Sequence, residues 1–260
     1  MKKLVIVTGA SGVIGTCYLN YFLTQKNTTC IGISRSALAL PVSHLKIDLL
    51  NSAAVTRAIQ QLDLSAVSQI FLIHAVGRFK YEGRDGKPAV AHDQDGIDDE
   101  VFSSNYDTFI NVVKPLLKKL ATASDITTLT LCAFGSIADK YELPFWASYT
   151  HSKNALRTFI QKVIDAKETQ NIVRGRFINV STTDTGNERL LRPYADDEER
   201  EYWLKAEKIV EQSVDYIENS DPLQWLEIDI YEPVTGFVPK EYYGNYEAIE
   251  SKWNRQMGAS

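Results

Sequence analysis

Short apolar runs alternate along the chain with longer stretches in which apolar residues recur every three or four positions. Residues 4–7, 29–34, 45–48, 69–74, 127–133, 174–179 and 225–230 read as strands. Between them, about 12–24, 53–62, 101–121 and 149–167 carry the period of amphipathic helices. Strand and helix in alternation predict an α/β fold: a doubly wound parallel sheet covered by helices on both faces, in three layers. A long polar stretch, about 78–100, holds Gly, Asp and Lys and is expected to be a loop or small insertion. No repeat, low-complexity tract or linker divides the chain, so residues 1–260 are read as one domain.

The first strand runs straight into Thr8-Gly9-Ala10-Ser11-Gly12-Val13-Ile14-Gly15, and a helix follows. That order suits a dinucleotide. The buried strand delivers the chain to a tight turn, glycines let main-chain N–H groups approach a pyrophosphate, and the helix N-terminus adds its positive dipole. A glycine triplet by itself also occurs in plain strand–helix turns. Its place at the head of a βαβ unit makes the turn a Rossmann-like phosphate cradle.

Composition narrows the setting. The 260 residues are 44% hydrophobic and 23% charged, with a net charge of −5, so general attraction to nucleic acid or an anionic membrane is not expected. Cys17, Cys30 and Cys132 show no metal-ligand or disulfide spacing and fit reduced thiols. A charged N-terminus leads at once into a strand, and no run of about twenty apolar residues exists. The chain is therefore expected in the cytoplasm, with no metal and no membrane or nucleic-acid partner.

A second constellation is Ser136, Tyr149 and Lys153. Tyr149 and Lys153, four apart on a predicted helix, share one face about 6 Å apart along its axis. An ammonium beside a phenol favours the phenolate and makes the tyrosine a usable acid or base. Tyr-x-x-x-Lys alone is common. Here the helix follows the fifth strand and Ser136 lies just past that strand's C-terminal end, where ligands bind in doubly wound sheets. At the tip of the second strand, twenty residues past Gly15, stand Ser34, Arg35 and Ser36, with no carboxylate. An acidic residue there accepts the ribose 2′-OH of NAD, whereas a guanidinium suits the 2′-phosphate of NADP. NADP(H) is therefore expected over NAD(H).

Taken together, these residues resemble the short-chain dehydrogenase/reductase family over about residues 4–185. Thr8, Gly9, Gly12 and Gly15 match its glycine motif. Ser136, Tyr149 and Lys153 match its Ser…Tyr-x-x-x-Lys, with the usual thirteen-residue gap. The resemblance implies that Asn105 completes a catalytic tetrad, and that Asp48 with Leu49 borders the adenine. It also implies that Ser11, Val13, Ile14, Ala75, Val76, Gly77 and Thr185 line the cofactor, together with Tyr149 and Lys153. The implied reaction is hydride exchange between nicotinamide and a carbonyl or alcohol carbon. Tyr149 would move the proton, Lys153 would tune it and hold the ribose, and Ser136 would bind the substrate oxygen. Asn105 would keep a water relay to Lys153.

The resemblance is to a divergent member of that family. Gly12 followed by Val13 is the glycine spacing of the extended subfamily, whose members carry a C-terminal substrate domain. His74-Ala75-Val76-Gly77 stands where Asn-Asn-Ala-Gly is usual, and Val180-Ser181 where Pro-Gly is usual. A nucleotide-sugar epimerase or dehydratase, and a non-catalytic NADP-binding regulator, are the alternatives. Residues 186–220 fall where the family has a substrate lid, and Arg189 and Arg192 there suit either an anionic substrate or local ion pairs. Phe145 and Trp146 are read as pocket wall, core or oligomer contact. The resemblance further implies a homodimer or homotetramer, built through the long helices after the fourth and fifth strands.

Overall fold

The computed structural model describes residues 2–83, 96–122, 128–141, 143–218, 224–232 and 238–258. Its strands are β1 (Lys2–Thr8), β2 (Thr28–Ser34), β3 (Ser43–Lys46), β4 (Val67–His74), β5 (Thr128–Ser136), β6 (Val173–Val180) and β7 (Trp225–Ile230). They form one parallel sheet in the order β3-β2-β1-β4-β5-β6-β7. Strand order reverses between β1 and β4, and that reversal opens a crevice at the carboxyl ends of the strands.

Why β1 is apolar without interruption follows from its two faces. Successive side chains point to opposite sides of a sheet. Leu4 and Ile6 enter a core with residues of α2 (Ser52–Gln61), α4 (Thr108–Leu120) and α5 (Ala147–Asp165). Val5 and Val7 enter a second core with α1 (Val13–Leu23) and α8 (Ala206–Glu218). Both faces are covered, so neither tolerates a polar residue.

Three elements differ from the sequence expectation. β3 lies two residues earlier than 45–48, because Ile31 to Ser34 of β2 pair with Ser43 to Lys46. The Asp48 carboxylate then accepts the Leu50 N–H at 3.0 Å, a side-chain turn that ends the strand. The long helix expected over 101–121 is broken into α3 (Asp99–Phe102), a π-helical turn (Ser103–Asp107) and α4. Residues 186–220 contain α6 (Gly186–Leu191), α7 (Asp197–Glu201) and α8. Of these, α8 buries Ile209, Val210, Val214 and Ile217 against the sheet, so it belongs to the core rather than to any cover over the crevice. Two C-terminal helices, α9 (Pro239–Gly244) and α10 (Tyr246–Met257), follow β7. Among the described residues no helix is long and apolar enough to cross a membrane.

The ends of the polar 78–100 stretch are tied together. Glu82 accepts from the Ser148 N–H at 2.9 Å and the Ser148 hydroxyl at 2.5 Å, while the Asp98 N–H donates to the Ser148 oxygen at 2.8 Å. Residues 84–95 lie outside the described residues.

Candidate active site

At the nucleotide end the crevice is shaped by main chain. Gly9 takes φ +69°, and a Cβ there would lie 2.5 Å from the Ala75 carbonyl oxygen. A Cβ at Gly15 would lie 2.4 Å from the Gly9 oxygen, so α1 approaches the turn only because both residues lack side chains. Gly12 is looser, with its nearest neighbour at 3.2 Å. Val13 is the first residue of α1 and 43% exposed, so its branched side chain has room in the solvent. Gly12 occupies the N-cap and no side chain caps α1. The first-turn N–H groups of α1, beside exposed Ser11 and half-buried Ile14, therefore suit an anion.

Thr8 turns inward. Its Oγ1 lies 2.7 Å from His74 Nδ1, and His74 Nε2 lies 3.3 Å from Thr108 Oγ1. Burial, reinforced by the Lys153 ammonium, lowers the His74 imidazole to about 3 and keeps it neutral. His74 thus joins the ends of β1 and β4 to α4. Ala75 donates its N–H to the Thr8 oxygen at 3.0 Å, and Val76 and Gly77 continue along the crevice.

At the tip of β2 the Ser34 hydroxyl donates to the Ser36 carbonyl at 2.7 Å and meets His44 Nε2 at 3.0 Å. Ser34 therefore shapes the tip, its hydroxyl engaged by Ser36 and His44. Arg35 and Ser36 are exposed, and Arg35 makes no ion pair among the described residues. Asp48 is exposed beside them, whereas Leu49 is buried and its carbonyl accepts from Asn111 Nδ2 at 2.9 Å.

The other end of the crevice begins where β5 delivers Ser136. Its Oγ accepts the Ala138 N–H at 3.2 Å, leaving the hydroxyl proton free to donate outward. Asn105 is fully buried on the π-helical turn. Its Oδ1 accepts from the Arg78 N–H at 2.8 Å, and its Nδ2 donates to the Arg78 carbonyl and the Ser152 hydroxyl, each at 2.9 Å. The extra residue in that turn aims the amide at the chain leaving β4. A Cβ on Gly77 would lie 3.5 Å from both Asn105 Oδ1 and Lys153 Nζ, so this chain threads between the two. Lys153 is buried with no hydrogen bond or ion pair among the described residues, and burial lowers its ammonium to about 8.

Tyr149 differs from expectation. Lys153 Nζ lies 5.3 Å from the centroid of its ring. The phenol is held well above its ordinary range by burial, and then by the Asp139 and Glu188 carboxylates. Desolvation therefore outweighs the lowering that a neighbouring lysine was expected to give.

Around Tyr149 the walls are aromatic. Phe79 meets its ring edge-on at 5.1 Å, lies 5.8 Å from Trp146 and stacks on Trp253 of α10 at 5.4 Å. Tyr81 lies parallel to Trp253 at 5.2 Å. Phe145 and Trp146 are buried in the same cluster. Behind Trp253 the buried Arg192 guanidinium lies 4.4 Å from that ring and 4.8 Å from Trp203. It pairs with Glu188 and donates to Gln256 Oε1 at 3.1 Å. Arg189 forms a two-pronged pair with Asp184 at 2.7 and 2.9 Å. Both arginines are thus held by local carboxylates, though not by the acidic run 196–199. Thr185 caps α6, accepting the Glu188 N–H at 3.2 Å.

Sequence reasoning passed over Phe79, Trp253, Glu188 and Asp139. No motif announces them; each reaches the site through the packing of a loop or a C-terminal helix.

The chain belongs to the short chain dehydrogenase family, whose model matches residues 3–194. It is therefore an oxidoreductase of the kind that uses a nicotinamide cofactor and a small-molecule substrate. No curated protein sequence matches the chain. Among solved structures it is similar to 4-hydroxyisoleucine dehydrogenase complexed with NADH, at 23% identity, TM-score 0.66, and coverage of 88% of this chain and 97% of that one. It is also similar to the aldohexose dehydrogenase of Thermoplasma acidophilum, at 16% identity, TM-score 0.68, and coverage of 90% and 98%. A third is a short chain dehydrogenase from Burkholderia cenocepacia in complex with NADP, at 16% identity, TM-score 0.66, and coverage of 98% and 97%. At these identities the likeness is one of fold.

Proposed function

We propose that this chain is a cytoplasmic, NADP(H)-preferring oxidoreductase that interconverts a carbonyl and an alcohol through Ser136, Tyr149 and Lys153. The observation that carries this reading is Lys153. A buried lysine whose ammonium makes no hydrogen bond or ion pair among the described residues, and which lies 3.5 Å from where a Cβ on Gly77 would stand, is a donor open to polar atoms of a ligand in the crevice that begins at Gly9. The residues fit a dinucleotide along their length. Gly9, Ser11, Gly12, Val13, Ile14 and Gly15 would cradle the pyrophosphate, with Thr8 fixing the turn from behind. Arg35 and Ser36 would take the 2′-phosphate, and Asp48 and Leu49 would border the adenine. Ala75, Val76, Gly77 and Thr185 would line the remainder.

Bound there, nicotinamide supplies or accepts the hydride. Tyr149 gives a proton to the substrate oxygen in reduction and removes it in oxidation. Its raised pKa in the absence of a ligand favours the protonated form, the one reduction needs. Ser136 donates its free hydroxyl proton to the same oxygen. Asn105 holds the Arg78 main chain and thereby the wall facing Lys153. Titration by thermal shift should show NADPH raising the melting temperature more than NADH at equal concentration. Equal shifts would remove the Arg35 assignment, and no shift with either would remove the cofactor reading. Val112, Val113 and Leu116 of α4 and Leu156 and Ile160 of α5 are core residues. A homodimer or homotetramer is proposed on family grounds, to be checked by light scattering.

A further inference from the structure

A carboxylate that the tetrad does not include is buried beside it. Asp139 follows Ser136 by three residues, on the 3-10 turn Ile137–Tyr141, and is 2% exposed. Its Oδ2 accepts the Ser136 main-chain N–H at 2.7 Å, while Oδ1 has no hydrogen-bonding partner among the described residues. Space for it is left by Gly135, where a Cβ would lie 3.0 Å from Asp139 Oδ2, 2.5 Å from Asn179 Oδ1 and 2.3 Å from Phe177.

The charged and titratable groups facing Asp139 come from three neighbouring elements. These are Lys153, Arg157 and Tyr149 on α5, Glu227 on β7 and Tyr243 on α9. Arg157 is already engaged: its Nε lies 3.2 Å from Glu227, its Nη2 3.2 Å from Asn179 Oδ1, and its Nη1 bonds Asn154. Lys153 is the facing cation that lacks a partner. Asp139 Oδ1 thus accepts no hydrogen bond and Lys153 Nζ donates none among the described residues, and both belong to residues that adjoin the Ser136–Tyr149 pair.

We propose that Asp139 is a positioning residue: its carboxylate fixes the Ser136 main chain, and through it the hydroxyl, while its charge faces Lys153. This rests on the reading of Ser136, Tyr149 and Lys153 as the site. Burial raises the Asp139 carboxyl to about 7 and lowers Lys153 to about 8, and each charge opposes the other's shift. The pair therefore changes charge near neutral pH, as two interacting groups do.

The test follows the side-chain carboxyl of Asp139 by carbon-13 NMR of aspartate-labelled protein, with the signal assigned by its loss in Asp139→Asn. The expected midpoint is near 7, rising by at least one pH unit in Lys153→Met. A midpoint in the ordinary carboxylate range, or one unmoved by Lys153→Met, overturns the charge role. The Ser136 amide proton should shift in Asp139→Ala and shift less in Asp139→Asn, which keeps an acceptor and is isosteric if the alanine variant fails to fold. An unshifted amide in both overturns the positioning role. With NADPH and any carbonyl that turns over, kcat should fall about tenfold or more in Asp139→Ala. It should fall less in Asp139→Asn at pH 6 and decline earlier toward alkaline pH. Wild-type kcat and pH profile in both variants would overturn the proposal while leaving the site intact. Turnover persisting in Tyr149→Phe would instead overturn the reading of the site.

Discussion

At the nucleotide end of the crevice the walls are main chain: Gly9 against the Ala75 carbonyl, Gly15 against Gly9, and the uncapped start of α1. At the substrate end they are side chains: Phe79, Trp146 and Trp253 around Tyr149, with Arg192 held between Trp203 and Trp253. The first end is specified by one short glycine turn that meets the main chain leaving β4. The second is assembled from the loop after β4, the start of α5, the segment after α6 and α10, with Phe79 and Trp253 more than a hundred residues apart in sequence. A binding site for a fixed ligand can be written as a local motif, whereas a site for a variable ligand is written in packing.

The largest effect that would test this contrast is at Arg192. Its removal leaves the partly buried Glu188 unpaired, opens a cavity at the buried Arg192 and leaves Trp253 without its cation, so Arg192→Ala should cost about 3 kcal/mol, read from the urea midpoint. If the two ends are independent, the NADPH-induced thermal shift survives in conditions where this variant is folded. A proportionate loss of cofactor binding would mean that the ends are one unit.

Gly9→Ala comes next. A Cβ 2.5 Å from a carbonyl oxygen, at φ +69°, should destabilise by about 2–4 kcal/mol and abolish the cofactor shift. Gly12→Ala, with 3.2 Å of room, should change stability by less than about 1 kcal/mol. Equal costs at the two positions would refute the geometry given for the turn. Arg35→Ala should weaken NADPH about 10- to 100-fold and leave NADH within a fewfold. Parallel losses would make Arg35 a general rather than a 2′-phosphate contact.

The smallest effect is a slope. His74, depressed from 6.5 to about 3, makes stability rise with pH between those values, because the unfolded chain binds the extra proton. Asp139, raised from 3.8 to about 7, makes stability fall between those values, because the folded chain holds the proton. From about 3.8 to 6.5 the two oppose each other. Asp139→Asn should uncover the His74 contribution as a rise of about 1.4 kcal/mol per pH unit relative to wild type. Denaturant melts at pH 4, 5 and 6 measure it, and parallel curves would contradict the buried charge states.

What was legible in the chain follows the same division. β1, the glycine turn and α1 are readable because their causes are local: an apolar run, residues without Cβ, and a helical period. Ser136, Tyr149 and Lys153 are readable because one strand and one helix fix their relation. Asn105 was found through the resemblance, but the π-helical turn that aims it leaves no mark in apolar periodicity. Ile209, Val210, Val214 and Ile217 do carry the period of a buried helix, although the family analogy suggested a lid there. Trp253 and Asp139 are an ordinary tryptophan on a helix and an ordinary aspartate in a turn until the fold brings one over Tyr149 and the other under Ser136.

The central claim is that Tyr149 moves the proton in a site whose cofactor is held independently of it. Its most direct test is Tyr149→Phe, with NADPH oxidation followed across a carbonyl panel and cofactor binding followed by thermal shift. The account predicts a fall in turnover of at least a hundredfold with the NADPH-induced shift unchanged. Turnover within a fewfold of wild type would contradict it.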